Sequence, residues 1–165
     1  MNTKKFDAET LHEFLRESNA IESEYDDIAF EDSLEAWDYA YGQLIDDPKF
    51  KFTPKFIAGI HAHLMRRLRP KIAGRFRNCG VMVGGNVCLD PRKISYVLSS
   101  WCMSINSKSF NNAKNNHITF EEIHPFEDGN GRTGRILYNI QRLRDGEDLH
   151  VIKESEKEDY YKWFR

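Results

Sequence analysis

This 165-residue chain has few cysteines, a small net charge and no long apolar run. The three cysteines, Cys79, Cys88 and Cys102, are an odd number without metal-ligand spacing, so reduced thiols are the expected state. No run approaches the roughly 20 apolar residues that span a bilayer. The N-terminus lacks the apolar core of a secretion signal. These shortages predict a cytoplasmic protein that does not enter a membrane.

The charge balance and the length narrow the class further. A net charge of −2 does not indicate a nucleic-acid or polyanion binder. The length is close to the commonest size of a single domain and is enough for a real core. The sequence contains no repeat, low-complexity tract or linker. We therefore expect a single domain over residues 1–165.

Apolar periodicity predicts that most of the chain is helical. Asp7 can cap a first helix with Leu11, Phe14 and Leu15 on one face. Proline fits a first helical turn, so Thr53-Pro54 begins a third helix and Pro91 a fourth, with Pro70 ending the third. Further helices are predicted over residues 32–45, 111–123 and 154–165.

Residues 74–89 do not continue the helical periodicity of the preceding segments. Three β-leaning runs, 75–78, 81–83 and 87–89, are separated by Gly80 and Gly84-Gly85. Short β-prone runs divided by glycine are typical of a hairpin or flap. The predicted fold class is therefore all-α, with one short β-hairpin.

The most informative segment is 124–135, which reads His-Pro-Phe-Glu-Asp-Gly-Asn-Gly-Arg-Thr-Gly-Arg. A Gly-Asn-Gly turn allows positive φ and lets backbone N–H groups converge on an anion. Ile136, Ile140 and Leu143 recur at helical spacing, so the turn opens a helix whose N-terminus favours phosphate. Arg132 and Arg135 lie on its first turn. The segment predicts a nucleotide phosphate site with a base beside it.

Each part of this segment alone has an ordinary structural interpretation. A single histidine before proline is more often structural than catalytic, and arginines at helix starts are usually solvated or paired locally. Only their combination around Gly-Asn-Gly favours a functional site. His61 and His63 point apart on one helix, so we predict core and surface positions rather than a metal pair. His117 is predicted to pack beneath the loop.

Residues 124–135 also match the signature of the Fic family, His-Pro-Phe-x-Asp/Glu-Gly-Asn-Gly-Arg-x-x-Arg, at every defined position. The resemblance includes the upstream His117-Ile118-x-Phe120 stretch, the helical layout and the flap. It implies a Fic-type helical bundle with the flap beside the active site. Most Fic proteins are adenylyltransferases that move AMP from ATP to a protein hydroxyl with Mg²⁺. The fold also hosts UMP, phosphocholine and phosphate transfer, so fold alone does not fix the chemistry.

The resemblance assigns roles that physical chemistry supports. His124 would be the base that deprotonates a serine, threonine or tyrosine hydroxyl. Asp128, a hard oxygen ligand, would hold Mg²⁺ against the phosphates of ATP. Glu127 is expected to face solvent, and Phe126 to hold the loop in the core. The remaining positions would bind phosphate: Gly129, Asn130, Gly131, Arg132 and Arg135.

Three further positions carry weaker predictions. Phosphate-transferring relatives typically have lysine where this chain has Gly131, so glycine favours AMP transfer. An exposed edge strand in the flap would hold a target segment by main-chain pairing. The best candidate is the run of Val81, Met82 and Val83. Asn139, one turn past Arg135, is a candidate for lining the base pocket.

Residues 1–30 carry a second motif. Ser18-Asn19-Ala20-Ile21-Glu22-Ser23 resembles the inhibitory pattern of Fic proteins, Ser/Thr-x-x-x-Glu-Gly/Asn, and departs from it at Ser23. The resemblance implies that Glu22 pairs with Arg135 and takes the arginine that the γ-phosphate of ATP requires. On its own, such a pattern is an ordinary polar helix end with an exposed glutamate.

Other functions stay open at this level. The chain could be an autoinhibited nucleotide-binding module without transferase activity, a phosphotransferase, a UMP transferase, or an enzyme that removes AMP. Its expected partners are ATP and a target protein with a hydroxyl side chain. The protein could also modify itself. Because many relatives form dimers or larger assemblies, it could form a homo-oligomer. Nucleic acid and membrane are not expected partners.

Overall fold

The computed structural model describes residues 6–107 and 112–164. Seven α-helices and one two-stranded antiparallel sheet make up this part, which confirms the predicted all-α class with a hairpin. In chain order they are α1 (Ala8–Ile21), α2 (Asp27–Asp46), α3 (Pro54–Met65), β1 (Met82–Val83), β2 (Asn86–Val87), α4 (Ile94–Asn106), α5 (Ala113–Ile123), α6 (Asn130–Arg144) and α7 (Lys157–Tyr161).

The helix starts follow the capping side chains. Asp7 caps α1 by accepting a hydrogen bond from the Thr10 N–H at 2.7 Å, and Thr53 caps α3 ahead of Pro54, as predicted. The second helix begins earlier than the predicted residue 32. Asp26 accepts from the Ala29 N–H at 2.7 Å, and this cap adds more than a turn to the start of α2.

Two predictions about the elements are wrong, namely the end of the third helix and the extent of β structure in the flap. The third helix ends at Met65, before Pro70. Only Met82–Val83 and Asn86–Val87 of the flap form strands, and the predicted β run 75–78 does not. That run is held by side-chain bonds instead, because Arg77 is buried there and donates to four backbone carbonyls.

The C-terminal segment is a broken helix. Short 3₁₀ turns, Glu154–Glu156 and Lys162–Phe164, flank α7, whereas a continuous helix was predicted over 154–165. Residues 1–5 of the predicted inhibitory segment, Asn111 of the predicted fifth helix and Arg165 lie outside the described residues. Within the described part of the chain, the helices are too short or too polar to span a bilayer.

Helix α6 is the centre of the bundle. Nearly all of its residues are buried, and α1, α2, α3 and α5 all contact it. The surrounding core is aromatic and aliphatic, with Trp37, Ile57, Leu98, Phe120 and Ile140 among its fully enclosed side chains. Because α5 ends and α6 begins inside this core, the loop that joins them is rigidly supported.

A buried carboxylate links α2 to α3. Asp32 is 0% exposed, and its Oδ1 accepts from Arg66 Nε at 3.0 Å and from Arg67 Nε at 2.7 Å. Both guanidinium groups remain partly in solvent and also pair with Glu35 and Glu31. Two cations on one enclosed carboxylate fix how the two helices pack.

Candidate active site

The loop between α5 and α6 carries the predicted catalytic segment. It begins at His124, which ends α5 in the left-handed conformation with φ 48°, and it closes at Gly129, which caps α6 with φ 75°. A Cβ on Gly129 would lie 2.8 Å from Met65 Sδ. Glycine is therefore required at this position for both its conformation and its clearance.

Phe126 and Asn130 fix the shape of the loop. Phe126 is 0% exposed and stacks on the His61 ring with centroids 3.7 Å apart, which confirms it as the core residue of the loop. Asn130 accepts from the Phe126 N–H and donates to the Phe126 carbonyl, both at 2.9 Å. The amide of Asn130 is thus a structural clasp, and only its backbone remains for the predicted phosphate contact.

His61 supports the loop from α3. Its Nδ1 accepts from the Gly74 N–H at 3.0 Å, which leaves Nε2–H to donate to the Asp128 carbonyl at 3.0 Å. Burial lowers the pKa of His61 to about 4, so the ring is neutral. His63 is 38% exposed on the other face, which confirms the predicted core and surface positions.

His124 lies beside the start of α6 with its ring largely enclosed. Burial holds the pKa of His124 below its usual value, and the backbone of Glu121 opposes that shift. A neutral imidazole at neutral pH can accept a proton. Its Nδ1 is buried and has no well-aligned hydrogen-bond partner among the described residues.

Arg77 connects the flap to His124, a contact that sequence reasoning missed. Its Nε donates to the His124 carbonyl at 2.7 Å, and its Nη groups donate to the carbonyls of Cys79 at 2.8 Å and Leu89 at 2.6 Å. Arg77 is 3% exposed. Five donors in a fixed fork hold both ends of the flap against the catalytic loop.

Arg135 is completely enclosed and engaged by α1. Its Nε donates to Ser18 Oγ at 2.9 Å, and its Nη2 donates to the Ser18 carbonyl and to Glu22 Oε1, both at 2.8 Å. Arg135 is 1% exposed, and the carboxylate of Glu22 is 35% exposed. The structure thus brings together the three residues that the N-terminal motif predicted.

The C-terminal segment closes the far side of Arg135. Tyr160 is 3% exposed; its hydroxyl accepts from Arg135 Nη1 at 3.3 Å and lies 2.8 Å from His117 Nε2. Burial lowers the pKa of His117 to about 3 and raises that of Tyr160. His117 is buried as predicted. The role of Tyr160 was not predicted, because a C-terminal tyrosine has no signal of its own.

Arg132 is the unsatisfied cation of the site. It is 3% exposed, yet within residues 6–107 and 112–164 its Nε and Nη1 have no hydrogen-bond partner, and its Nη2 donates to Met65 Sδ at 3.6 Å. Leaving buried, charged donors unpaired is costly. An arginine held in this way at a helix N-terminus is well suited to bind an anion.

Asp128 is a half-exposed acid of the loop. Its Oδ1 accepts from the Gly129 N–H at 2.7 Å, and its Oδ2 pairs with Arg69 Nη1 at 3.1 Å. Its side chain is 45% exposed. Across the described ranges, no three His, Cys, Asp or Glu side chains gather to hold a metal ion alone. An exposed carboxylate beside an anion site fits a cation that shares its ligands with phosphate.

Gly131 provides space for a neighbouring side chain, whereas Asn139 is buried and hydrogen-bonded. A Cβ on Gly131 would clash with Glu22 Oε1 and lie 3.0 Å from Arg135 Nη1. Glycine there makes room for the Glu22 carboxylate. Asn139 is 0% exposed, and its amide exchanges hydrogen bonds with the backbone of His150 at 2.8 and 3.0 Å. Full burial is the opposite of what the predicted base-pocket role requires.

The flap is exposed beside this loop. Met82 is 66% exposed, Val83 47% and Val87 79%. The predicted strand 81–83 is present as β1, extended by a bond from the Cys88 N–H to the Val81 carbonyl at 3.0 Å. Glu127 is also exposed, as predicted.

A family model described as "Fic/DOC family" matches residues 51–141, so the chain belongs to the Fic/DOC family. Among curated relatives, a "Protein adenylyltransferase Fic" of Aedes aegypti is 32% identical over 79% of this chain and 27% of that protein. A protein of the same name from Drosophila grimshawi is 31% identical over 71% of this chain and 26% of that protein. The chain thus spans about a quarter of the length of these relatives.

Solved structures agree on the fold. A Fic-domain-containing signalling protein from Bacteroides thetaiotaomicron superposes with a TM-score of 0.78 at 21% identity, covering 97% of this chain and 75% of that one. Fic-1 from C. elegans gives 0.77 at 20% identity, covering 98% and 58%. These likenesses confirm the Fic-type bundle.

Proposed function

We propose that this protein transfers AMP from ATP to a hydroxyl of a target protein. The observation that carries the proposal is the arrangement of one loop: a neutral His124 at its start and, one helical turn past its end, Arg132 with two buried donors that lack a protein partner. Such donors are matched to a phosphate. Curated relatives that are named protein adenylyltransferases support the same reaction class.

His124 is the base of the proposed reaction. The target hydroxyl attacks the α-phosphorus of ATP, its proton passes to Nε2 of His124, and pyrophosphate leaves. The αL backbone of His124 and the hydrogen bond from Arg77 to its carbonyl fix the backbone from which the ring projects. A positioned imidazole contributes about 10²–10⁴-fold to a step of this kind.

The start of α6 binds the phosphates in this proposal. The backbone N–H groups of Gly129, Asn130 and Gly131 lie at the positive end of the helix. Arg132 and, once released, Arg135 neutralise the β- and γ-phosphates. Asp128 would hold Mg²⁺, which supplies further neutralisation of phosphate charge when bound.

Glu22 is the proposed inhibitory residue. The γ-phosphate of ATP requires Arg135, and in the structure that guanidinium donates to Ser18 and Glu22 instead. ATP must therefore displace a charge-assisted pair or bind in an unproductive orientation. Ser23 has φ 61°, a conformation that glycine or asparagine adopts more readily. Ser23 nevertheless adopts this conformation, and Glu22 contacts Arg135 although Ser23 departs from the family pattern.

The flap is the proposed docking strand for the target. The edge formed by Val81, Met82 and Val83 is exposed, and main-chain pairing accepts many sequences. Because Arg77 ties the flap to the loop, a paired segment would lie in a fixed register against His124. The target hydroxyl is a serine, threonine or tyrosine of another protein or of a second copy of this one.

The test is incubation of wild-type protein, Glu22→Gly and His124→Ala with each labelled nucleoside triphosphate and Mg²⁺, with and without cell lysate. We expect AMP label from ATP on protein, more in Glu22→Gly than in wild type, and none in Glu22→Gly/His124→Ala. Mass spectrometry distinguishes AMP from UMP or phosphate. Label that survives His124→Ala would overturn the assignment of the base.

A second candidate is an autoinhibited nucleotide-binding module without transfer activity. Arg135 donates from all three guanidinium nitrogens to protein atoms, and these contacts would have to be released before the guanidinium could bind a γ-phosphate. ATP binding without transfer, even in Glu22→Gly, would support this candidate. Release of AMP from a modified target by wild-type protein, lost in Glu22→Gly, would instead indicate removal of AMP.

A further inference from the structure

Glu121 lies directly behind the base. It precedes His124 by three residues on α5, so both side chains lie on one face of the helix end. Its Oε2 is 3.9 Å from His124 Nδ1, and each side chain is only 16% exposed. Among the described residues, neither its Oε1 nor His124 Nδ1 has a well-aligned hydrogen-bond partner. An enclosed carboxylate thus faces an enclosed ring nitrogen, and the other acceptor beside the ring is the backbone of Glu121.

The neighbouring helix leaves room for this carboxylate. A Cβ on Gly134 of α6 would lie 2.6 Å from Glu121 Oε1 and 2.8 Å from His117 Cε1. Alanine would therefore push the Glu121 side chain out of its position. Gly134 has no positive φ, so clearance is the reason for glycine here.

The charges around Glu121 come from every element packed against it. Arg135 lies on α6, Glu22 follows α1, Tyr160 lies on α7, and His117 and His124 lie on or end α5. Burial raises the pKa of Glu121 to about 7; Arg135 opposes that shift and Glu22 adds to it. A carboxyl group with this pKa exchanges its proton readily at neutral pH.

We propose that Glu121 is a positioning residue that accepts the Nδ1–H of His124 and thereby presents Nε2 to the target hydroxyl. This rests on the proposed role of His124 as base. The 3.9 Å separation shortens to a hydrogen bond in the reacting complex, since such bonds are often long before substrate binds. Glu121 does not contact ATP or the target.

The proton balance follows directly. The target O–H bond breaks, its proton moves to Nε2, and Nδ1 keeps the proton that it donates to Glu121. The imidazolium that results lies beside a carboxylate, which favours the charged ring. The Glu121 carboxylate thus reinforces the tautomer with Nδ1–H, and the tautomer with Nε2–H cannot act as base.

The experiment compares Glu121→Gln with Glu122→Gln, its exposed neighbour on α5, in the full chain. The pKa of His124 is measured by NMR of ring-labelled histidine, assigned with His124→Ala. We expect Glu121→Gln to lower the pKa of His124 by about one pH unit. In the Glu22→Gly background, kcat should fall about tenfold to a hundredfold with KM for ATP unchanged. Glu122→Gln should change neither.

A further variant protects the test against misfolding. Glu121→Asp keeps the charge one methylene further away and should give an intermediate kcat value with native thermal melting. An unchanged pKa of His124 and unchanged kcat in Glu121→Gln would overturn the proposal. Because the NMR readout needs no substrate, it tests Glu121 even if AMP transfer itself is absent.

Discussion

Arg135 and Glu22 form a salt bridge at 2.8 Å across 113 residues of sequence, and it joins the first helix of the chain to the helix at its centre. The arginine is fully enclosed while a third of the glutamate remains in solvent. The pair is therefore held from the arginine side, and the glutamate is the partner that can leave.

Replacing Glu22 with glycine should raise the affinity for ATP. A charge-assisted hydrogen bond of this kind contributes about 1.5–3 kcal/mol, which corresponds to roughly tenfold to a hundredfold. Partial exposure of Glu22 favours the lower end of that range. Calorimetric titration with Mg-ATP measures the change, and Glu24→Gln is the matched control. Equal affinities for wild type and Glu22→Gly would contradict the proposed inhibition.

Replacing Arg69 with alanine should strengthen divalent-cation binding at Asp128. Arg69 Nη1 lies 3.1 Å from Asp128 Oδ2, where it competes with a cation for the carboxylate. Both side chains are about half exposed, so the pair contributes about 0.2–1 kcal/mol and the gain should not exceed about fivefold. Mn²⁺ titration followed by electron paramagnetic resonance, with a non-hydrolysable ATP analogue in Glu22→Gly, measures it. Weaker Mn²⁺ binding would indicate that Arg69 contacts phosphate instead.

Stability should depend on pH through His117. Its folded pKa of about 3 lies below the ordinary 6.5, so the neutral ring contributes stability that is present above pH 6.5 and lost as pH falls toward 3. The loss is about 1.4 kcal/mol per pH unit. Glu121 acts with the opposite sign between pH 4.5 and 7, because its folded pKa is raised to about 7.

A variant separates these two contributions. His117→Gln cannot titrate but can still bond to Tyr160, so urea unfolding of this variant should depend less steeply on pH than that of wild type. The difference in slope should be about 1.4 kcal/mol per pH unit between pH 6 and 4. Identical slopes would show that His117 is not held neutral in the folded state.

Asp32→Asn should destabilise the bundle by about 1.5–3 kcal/mol, because one enclosed carboxylate oxygen accepts from both Arg66 and Arg67. Glu31→Gln removes only an exposed partner of Arg67 and should cost less than about 1 kcal/mol. Guanidinium unfolding of the two variants side by side measures the contrast. Equal losses would mean that burial of Asp32 adds nothing to the link between α2 and α3.

Local signals in the sequence were enough for the helices and for the catalytic loop. Asp7, Thr53 and Pro54 are capping residues whose effect extends over one turn, so their positions could be read directly. The match of residues 124–135 to the Fic signature is likewise contiguous. Features of this kind depend on near neighbours in the chain. The structure confirms the capped starts of α1 and α3, and the family model confirms the family.

Long-range contacts could not be predicted in the same way. Tyr160 lies 25 residues from Arg135, and Arg77 lies 47 residues from His124. Nothing in the local sequence distinguishes these side chains from other surface-like tyrosines and arginines. Glu121 was missed for a related reason, since a glutamate near a helix end is usually solvated. Asn139 was assigned to a base pocket because helical spacing gives only the face of a helix, while its full burial depends on the segment that follows.

The absence of a side chain at position 131 has a consequence for how such a protein can diverge. Any larger residue there would collide with the carboxylate of Glu22 before ATP ever arrived. Under the proposed function, a bulky cation at position 131 would change the phosphate-binding loop and displace Glu22 from Arg135 in the same substitution. We therefore expect the choice of transferred group and the proposed inhibition to change together.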